Sequence, residues 1–173
     1  MRKASLVAVI VPLITLLGWC LTLSYSLATG TPVRLRVEGY DPRDLLSGRY
    51  ITYSLVQPSN VGREGCYGAL YGATACGCLT PEPNGPFHTI SWIGRCEERP
   101  TECTLFLQGM CRIWFVAGIE KYFIPEELAP ALQTIPAESS IVLTVSGWGH
   151  SQVKQMLVGE TPIEEFARAA LKQ

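Results

Sequence analysis

The sequence predicts a mainly β protein: a single N-terminal transmembrane helix followed by one antiparallel β-rich extracytoplasmic domain with a short C-terminal helix. Three observations lead there. After Arg2 and Lys3 the next charged residue is Arg34, so the N-terminus is one uncharged run. Six of the seven cysteines lie beyond that run. From Val33 to Val158 short segments rich in β-formers, several alternating apolar with polar residues, are separated by Gly, Pro and Asn, as half-buried strands are.

From Leu6 to Leu23 the chain reads LVAVIVPLITLLGWCLTL, about the length a helix needs to cross a bilayer. Pro12 and Gly18 weaken a helix in water but are tolerated in lipid. The lipid bilayer is therefore the expected partner of residues 4–28. The competing reading is a cleaved signal peptide, for which Ser26-Leu27-Ala28 offers a small-x-small site; the apolar run exceeds the roughly 7 to 15 residues of a signal core. A lipid on Cys20 would want a small residue before it, and Trp19 stands there. Arg2 and Lys3 hold the short tail in the cytoplasm under the positive-inside bias. The expected arrangement is a single pass through a membrane, with 1–30 as cytoplasmic tip and anchor and 31–173 as one extracytoplasmic domain.

An exported domain with an even set of cysteines, Cys66, Cys76, Cys78, Cys96, Cys103 and Cys111, is expected to form disulfides. A bridge between Cys76 and Cys78 would be strained, and the remaining pairings stay open. Cys-x-Cys is also a thiolate clamp used by copper and zinc, but no Cys-x-x-Cys pair or neighbouring histidine completes a ligand set, so no metal or other cofactor is expected. A net charge of −1 without a basic patch argues against a nucleic-acid partner.

Within the domain, VRLRVEG (33–39) sets Val33, Leu35 and Val37 against Arg34, Arg36 and Glu38. YITYSLV (50–56) is β-forming throughout. Between them Asp41-Pro42-Arg43-Asp44 predicts a helical turn, capped by Asp41 with Pro42 first and Asp44 near free amides, and Gly48 allows the exit. The Gly-, Pro- and Cys-rich stretch 57–111 is expected to be a loop-rich insertion that buries little and leans on its bridges. Strands are expected at 88–93, 104–109 and 111–124, then at 140–146 and 151–158 around a GWGH hairpin. TPIEEFARAALKQ closes the chain as an amphipathic helix with Thr161 as cap and Glu164 completing a capping box. Trp92, Trp114 and Trp148 are expected in the core or at a sheet rim.

DPRDLLSGRYITYSL (41–55) resembles the opening motif of the bacterial GDYXXLXY family of membrane-anchored proteins, and GIEKYFIPEE (118–127) resembles its second motif. VLTVSGWGHSQVKQMLVGETPIEE resembles its C-terminal hairpin, so the likeness covers about 33–56 and 112–165 and leaves the cysteine-rich middle aside. The naming motif is degenerate here: GRYITYSL carries Arg49 in place of the aspartate, and Tyr53 and Leu55 at the leucine and tyrosine positions. The resemblance implies a bacterial inner membrane for the anchor and the periplasm for residues 31–173; members are usually encoded near multi-spanning membrane proteins, which implies such a partner rather than a reaction. The resemblance makes Asp41, Arg43, Asp44, Gly48, Arg49, Tyr50, Glu120, Pro125 and Glu126 the candidate partner-binding residues.

The expected function is a non-catalytic accessory or binding subunit of a membrane protein assembly. One alternative is a periplasmic hydrolase using motif carboxylates such as Asp44 and Glu126, a pairing that needs only proximity; Glu126 is also accounted for as a first-turn acid after Pro125. The other is a thiol or metal-handling module. A weak similarity around Pro42 to signal-peptidase-like proteases fails at the nucleophile, because Gly39 stands three residues before Pro42. His88 and His150 lie in turn-like contexts, and Lys121 on an alternating, exposed strand.

Overall fold

The computed structural model describes residues 2–39, 50–66, 70–132 and 134–172. A 28-residue helix, α1 (Arg2–Thr29), comes first. Gly30 alone separates it from β1 (Thr31–Gly39). Among the residues whose side chains are described, which in α1 run unbroken from Ile10 to Tyr25, no helical stretch is long and apolar enough to cross a membrane.

The remaining elements are β2 (Tyr50–Leu55), α2 (Ser59–Cys66), β3 (Thr74–Pro81), β4 (His88–Gly94), β5 (Phe106–Cys111), β6 (Phe115–Val116), β7 (Lys121–Phe123), a 3-10 helix (Glu126–Leu132), β8 (Ser139–Val145), β9 (Ser151–Val158), β10 (Thr161–Pro162) and α3 (Ile163–Ala170). Among the described residues the strands form two sheets, one of six in the order β10-β9-β8-β1-β2-β7 and one of four in the order β4-β3-β5-β6. The pairings are antiparallel throughout, and one hydrophobic core joins both sheets with α3. The domain is thus mainly β with a short C-terminal helix.

β1 organises the large sheet. Its alternation works as the sequence predicts, with Val33, Leu35 and Val37 buried and the charged set on the opposite face. It pairs with β8 through Thr31 to Arg36 and with β2 through Val37 to Gly39. Its nine residues extend roughly 30 Å at the usual strand rise. The domain therefore has a near end, where β1 leaves α1, and a far end, where β2 begins.

The cysteine-rich segment departs from expectation. Residues 57–111 do not merely loop: they supply α2, β3, β4 and β5, and β3 is an inner strand whose Ala75, Cys76, Cys78 and Leu79 are buried. The expected strand 104–109 is realised as β5 at its far half, and 88–93 as β4. Glycine makes this possible by letting elements meet closely. A Cβ on Gly77 would come within 3.1 Å of the Phe115 ring, and one on Gly109 within 2.3 Å of the Val116 carbonyl oxygen. Small residues that read as loop formers are here the shallow seats of a packed sheet.

Three disulfides form among the described cysteines: Cys66–Cys111, Cys76–Cys96 and Cys78–Cys103. The first ties α2 to the end of β5, and the other two tie the middle of β3 to the segment between β4 and β5.

Two smaller expectations also change. The expected strand 111–124 breaks into the end of β5, β6 and β7, with Gly118 at φ +80° turning the chain between the last two. Thr161 does not cap the last helix: Thr161 and Pro162 pair with Val158 and Leu157 as β10, and Pro162 takes the cap position without a side-chain bond. Sheet hydrogen bonding outcompetes the capping box there, and the Glu164 carboxylate serves another partner.

Candidate functional site

The opening motif leads into β2 at the far end of the large sheet. Asp41, Arg43, Asp44, Gly48 and Arg49, with the expected helical turn at 41–44, lie outside the described residues. So does Asp44 as a partner for Glu126. What the structure places is the strand itself, its neighbour β7, and the turn that follows.

β7 is the outer strand on this side of the sheet. Its register against β2 sets Tyr50 opposite Phe123, Ile51 opposite Tyr122 and Thr52 opposite Lys121. Tyr50 and Phe123 meet edge to face, with ring centroids 6.0 Å apart at 66°. The Lys121 ammonium lies over the Tyr50 ring, 4.6 Å from its centroid. Phe123 is 72% exposed. The result is a small aromatic and cationic surface at an outer strand: Tyr50 and Phe123 supply apolar area, and Lys121 supplies charge. Pro125 and Glu126 follow it, both exposed, with the Leu128 amide donating to the Pro125 carbonyl at 3.0 Å as the 3-10 helix starts.

Other motif side chains face inward. Tyr53, 1% exposed, donates its hydroxyl hydrogen bond to the Ile119 carbonyl, while its backbone amide donates to the Glu120 carbonyl at 3.1 Å. Glu120 is the acceptor for the Ala117 amide at 2.6 Å, which fixes the turn between β6 and β7. The sequence places Glu120 among partner-binding residues; its carboxylate is held within its own turn. Tyr53, Glu120 and Trp114 line a shallow apolar hollow of about 190 Å³ between the two sheets.

Tyr122 points the other way along β7 and donates to Glu164 Oε1 at 2.6 Å, which joins the motif edge to α3. Burial first, then the Glu164 hydrogen bond and charge, push its phenol up to about 12. Burial pushes Tyr53 up as well, with Glu120 and Tyr122 adding to it. A raised native pKa means that the fold favours the protonated phenol. That stabilisation is complete below the ordinary value of 10.0 and is lost as pH rises through about 12. The melting temperature is expected to fall between those limits, less steeply for Tyr122→Phe than for the parent. Identical pH profiles for the two proteins would show that this phenol is not linked to folding.

A second concavity, about 600 Å³, lies along the charged face of β1. Arg34 and Arg36 place their guanidinium groups 4.8 and 4.0 Å from the centroid of the Phe87 ring. Arg34 donates to Glu160 at 2.8 Å, to the Ser140 hydroxyl at 3.0 Å and to the Gly159 carbonyl; Arg36 pairs with Glu82. Both guanidinium groups already have anionic partners, so the cluster fastens the β3–β4 turn and the β9–β10 turn to β1. The sequence signals the outward arginines through their alternation on β1. It carries no sign of Phe87, Glu82 or Glu160, which arrive from distant turns.

Neither histidine joins these groups. His88 opens β4, where burial lowers its pKa, and His150 is exposed beside the β8–β9 turn. Trp92 is half-buried, Trp114 is 43% exposed and Trp148 82% exposed, so the tryptophans hold the rim rather than the core.

These features define a two-sheet, disulfide-bridged β domain carried directly on an N-terminal apolar helix, with a motif strand beside the outer strand of the large sheet among the described residues. The chain belongs to the GDYXXLXY protein family, whose model matches residues 12–156. The match begins inside α1, runs through the cysteine-rich segment and stops in β9, short of β10 and α3. Comparison with curated proteins and with solved structures gives no match.

Proposed function

We propose that this protein is a single-pass, membrane-anchored subunit whose disulfide-bridged domain lies in the periplasm and binds a multi-spanning membrane protein through the β2–β7 edge. The observation that carries the reading is the union of an apolar helix and an exposed motif edge in one short chain. α1 has 28 residues, roughly 42 Å at the helical rise, and the sequence holds no charge between Lys3 and Arg34. Its large apolar side chains from Ile10 to Leu23 are exposed by 42% to 68%. Apolar surface on all sides of this stretch suits lipid rather than water. Three disulfides agree with an oxidising compartment.

At the other end, Tyr50, Lys121 and Phe123 offer an aromatic anchor with a charge beside it, the composition of a binding hot spot. Among the described residues β7 ends the sheet, and an end strand is where a partner strand can add by backbone hydrogen bonds. With all six outer cysteines paired, the thiol-handling alternative gains no support.

A photoreactive amino acid at Phe123 in the full chain, irradiated in intact cells, is expected to crosslink to an integral membrane protein. Phe123→Asp should abolish that protein's co-purification while changing stability by less than about 0.5 kcal/mol, as exposed substitutions do. Unchanged co-purification by the variant, with no crosslink from this position, would remove the edge as the docking site.

A further inference from the structure

The hairpin between β8 and β9 lies at the end of the domain that adjoins α1. Thr31, the first residue of β1, pairs directly with Val145, the last of β8. Trp148 is three residues further on, at most roughly 11 Å of chain. It is 82% exposed. The turn that carries it, Ser146-Gly147-Trp148-Gly149-His150, contains no acidic residue.

This turn is firmly built. The Gly149 amide donates to the Ser146 carbonyl at 2.9 Å and the Ser146 amide to the His150 carbonyl at 2.9 Å. The Gln108 amide, from β5 of the other sheet, donates to the Gly149 carbonyl at 2.8 Å. Gly149 has φ +80°, and a Cβ there would come within 2.4 Å of the Phe106 ring, so only glycine fits. Phe106 is itself covered by the Arg99 guanidinium, 3.8 Å from its centroid. A braced turn that holds a bare indole outward is suited to a surface that accepts both its apolar ring and its N–H.

We propose that this turn is a membrane-interface contact in which Trp148 sits in the headgroup layer of the same bilayer that holds α1, fixing the domain's tilt on the membrane. The proposal rests on the anchor reading of α1. A helix of 28 residues matches the roughly 40 to 45 Å of a bilayer with its headgroups. Its C-terminal end therefore comes out at the headgroup surface, and Gly30 brings Thr31 and its neighbour Val145 to that level. Tryptophan is favoured there because one side of the indole can be apolar while its N–H stays hydrated. Trp114 lines the hollow beside Thr52 to Leu55 on β2, away from this end, and Trp92 is half-buried in β4.

The test uses the full chain, labelled with 5-fluorotryptophan at its four tryptophans and reconstituted in phosphatidylcholine vesicles. Each fluorine resonance is assigned by a single Trp→Phe variant. A nitroxide on the lipid headgroup is expected to erase the Trp148 resonance while sparing Trp92 and Trp114; a nitroxide deep in the acyl chains is expected to erase Trp19. Loss of Trp19 with Trp148 spared would overturn the proposal and leave the anchor standing. Equal loss of Trp148, Trp92 and Trp114 would also overturn it, since the domain would then lie on lipid without a preferred face. Survival of Trp19 would overturn the anchor reading and this proposal together.

Discussion

The double variant Cys66→Ala/Cys111→Ala is expected to lose about 4 kcal/mol of unfolding free energy, the largest loss among the three bridges. The two cysteines are 45 residues apart, against 20 for Cys76–Cys96 and 25 for Cys78–Cys103. Closing the longest loop removes the most freedom from the unfolded chain, and the shorter bridges should each contribute roughly 3 to 3.5 kcal/mol by the same relation. The bridge also seats α2. Gly65 packs so closely on Ile93 that a Cβ would come within 2.7 Å of it, and Cys66 beside it is fully buried. Denaturant unfolding of the full chain in detergent, compared across three paired Cys→Ala variants, reads the order directly. If the Cys66–Cys111 variant were the least affected, loop closure would not be the source of the stabilisation.

Tyr53→Ala is expected to lose about 3 to 5 kcal/mol, the range for removing an aromatic ring from a core. Its ring is enclosed in the core shared by both sheets, and its hydroxyl is the side-chain donor to the Ile119 carbonyl. Tyr53→Phe should lose less, about 1 to 3 kcal/mol, because the cavity stays filled and one buried carbonyl is left without this donor. Tyr50 and Tyr53 therefore differ in kind although they share a strand: one helps to form an exposed edge, the other closes the core beneath it. A Tyr53→Ala variant that unfolded within about 1 kcal/mol of the parent would show that the ring is not part of the core, and the structural reading of this motif position would fall.

The sequence made the large sheet readable wherever burial was one-sided. Val33, Leu35 and Val37 alternate with charged residues because one face of β1 meets the core and the other meets water. β3 is buried on both faces, so it has no alternation to show, and its Ala, Gly and Cys look like a loop until the Phe115 ring that Gly77 accommodates is known. The cysteine pairing was open for a related reason: spacing along a chain does not encode which strands become neighbours. Motif resemblance pointed to Tyr50, Pro125 and Glu126 as candidates, and the structure sets them beside β7. For Glu120 the structure adds a local tie that the motif did not signal, an amide three residues earlier that donates to its carboxylate. Phe123 was passed over as one strand residue among many. Its place at the edge depends on β7 being an outer strand, a property of the assembled sheet.

Gly30 alone links α1 to β1. One residue keeps Thr31 within a few ångströms of the end of α1, while glycine, the least restricted of residues in φ and ψ, leaves the direction of the domain free to turn about that point. The joint is a short tether with a loose bearing: it sets how far the domain stands from the helix and leaves its heading to whatever the domain touches. Gly30→Pro would stiffen that bearing while leaving every contact within the domain in place.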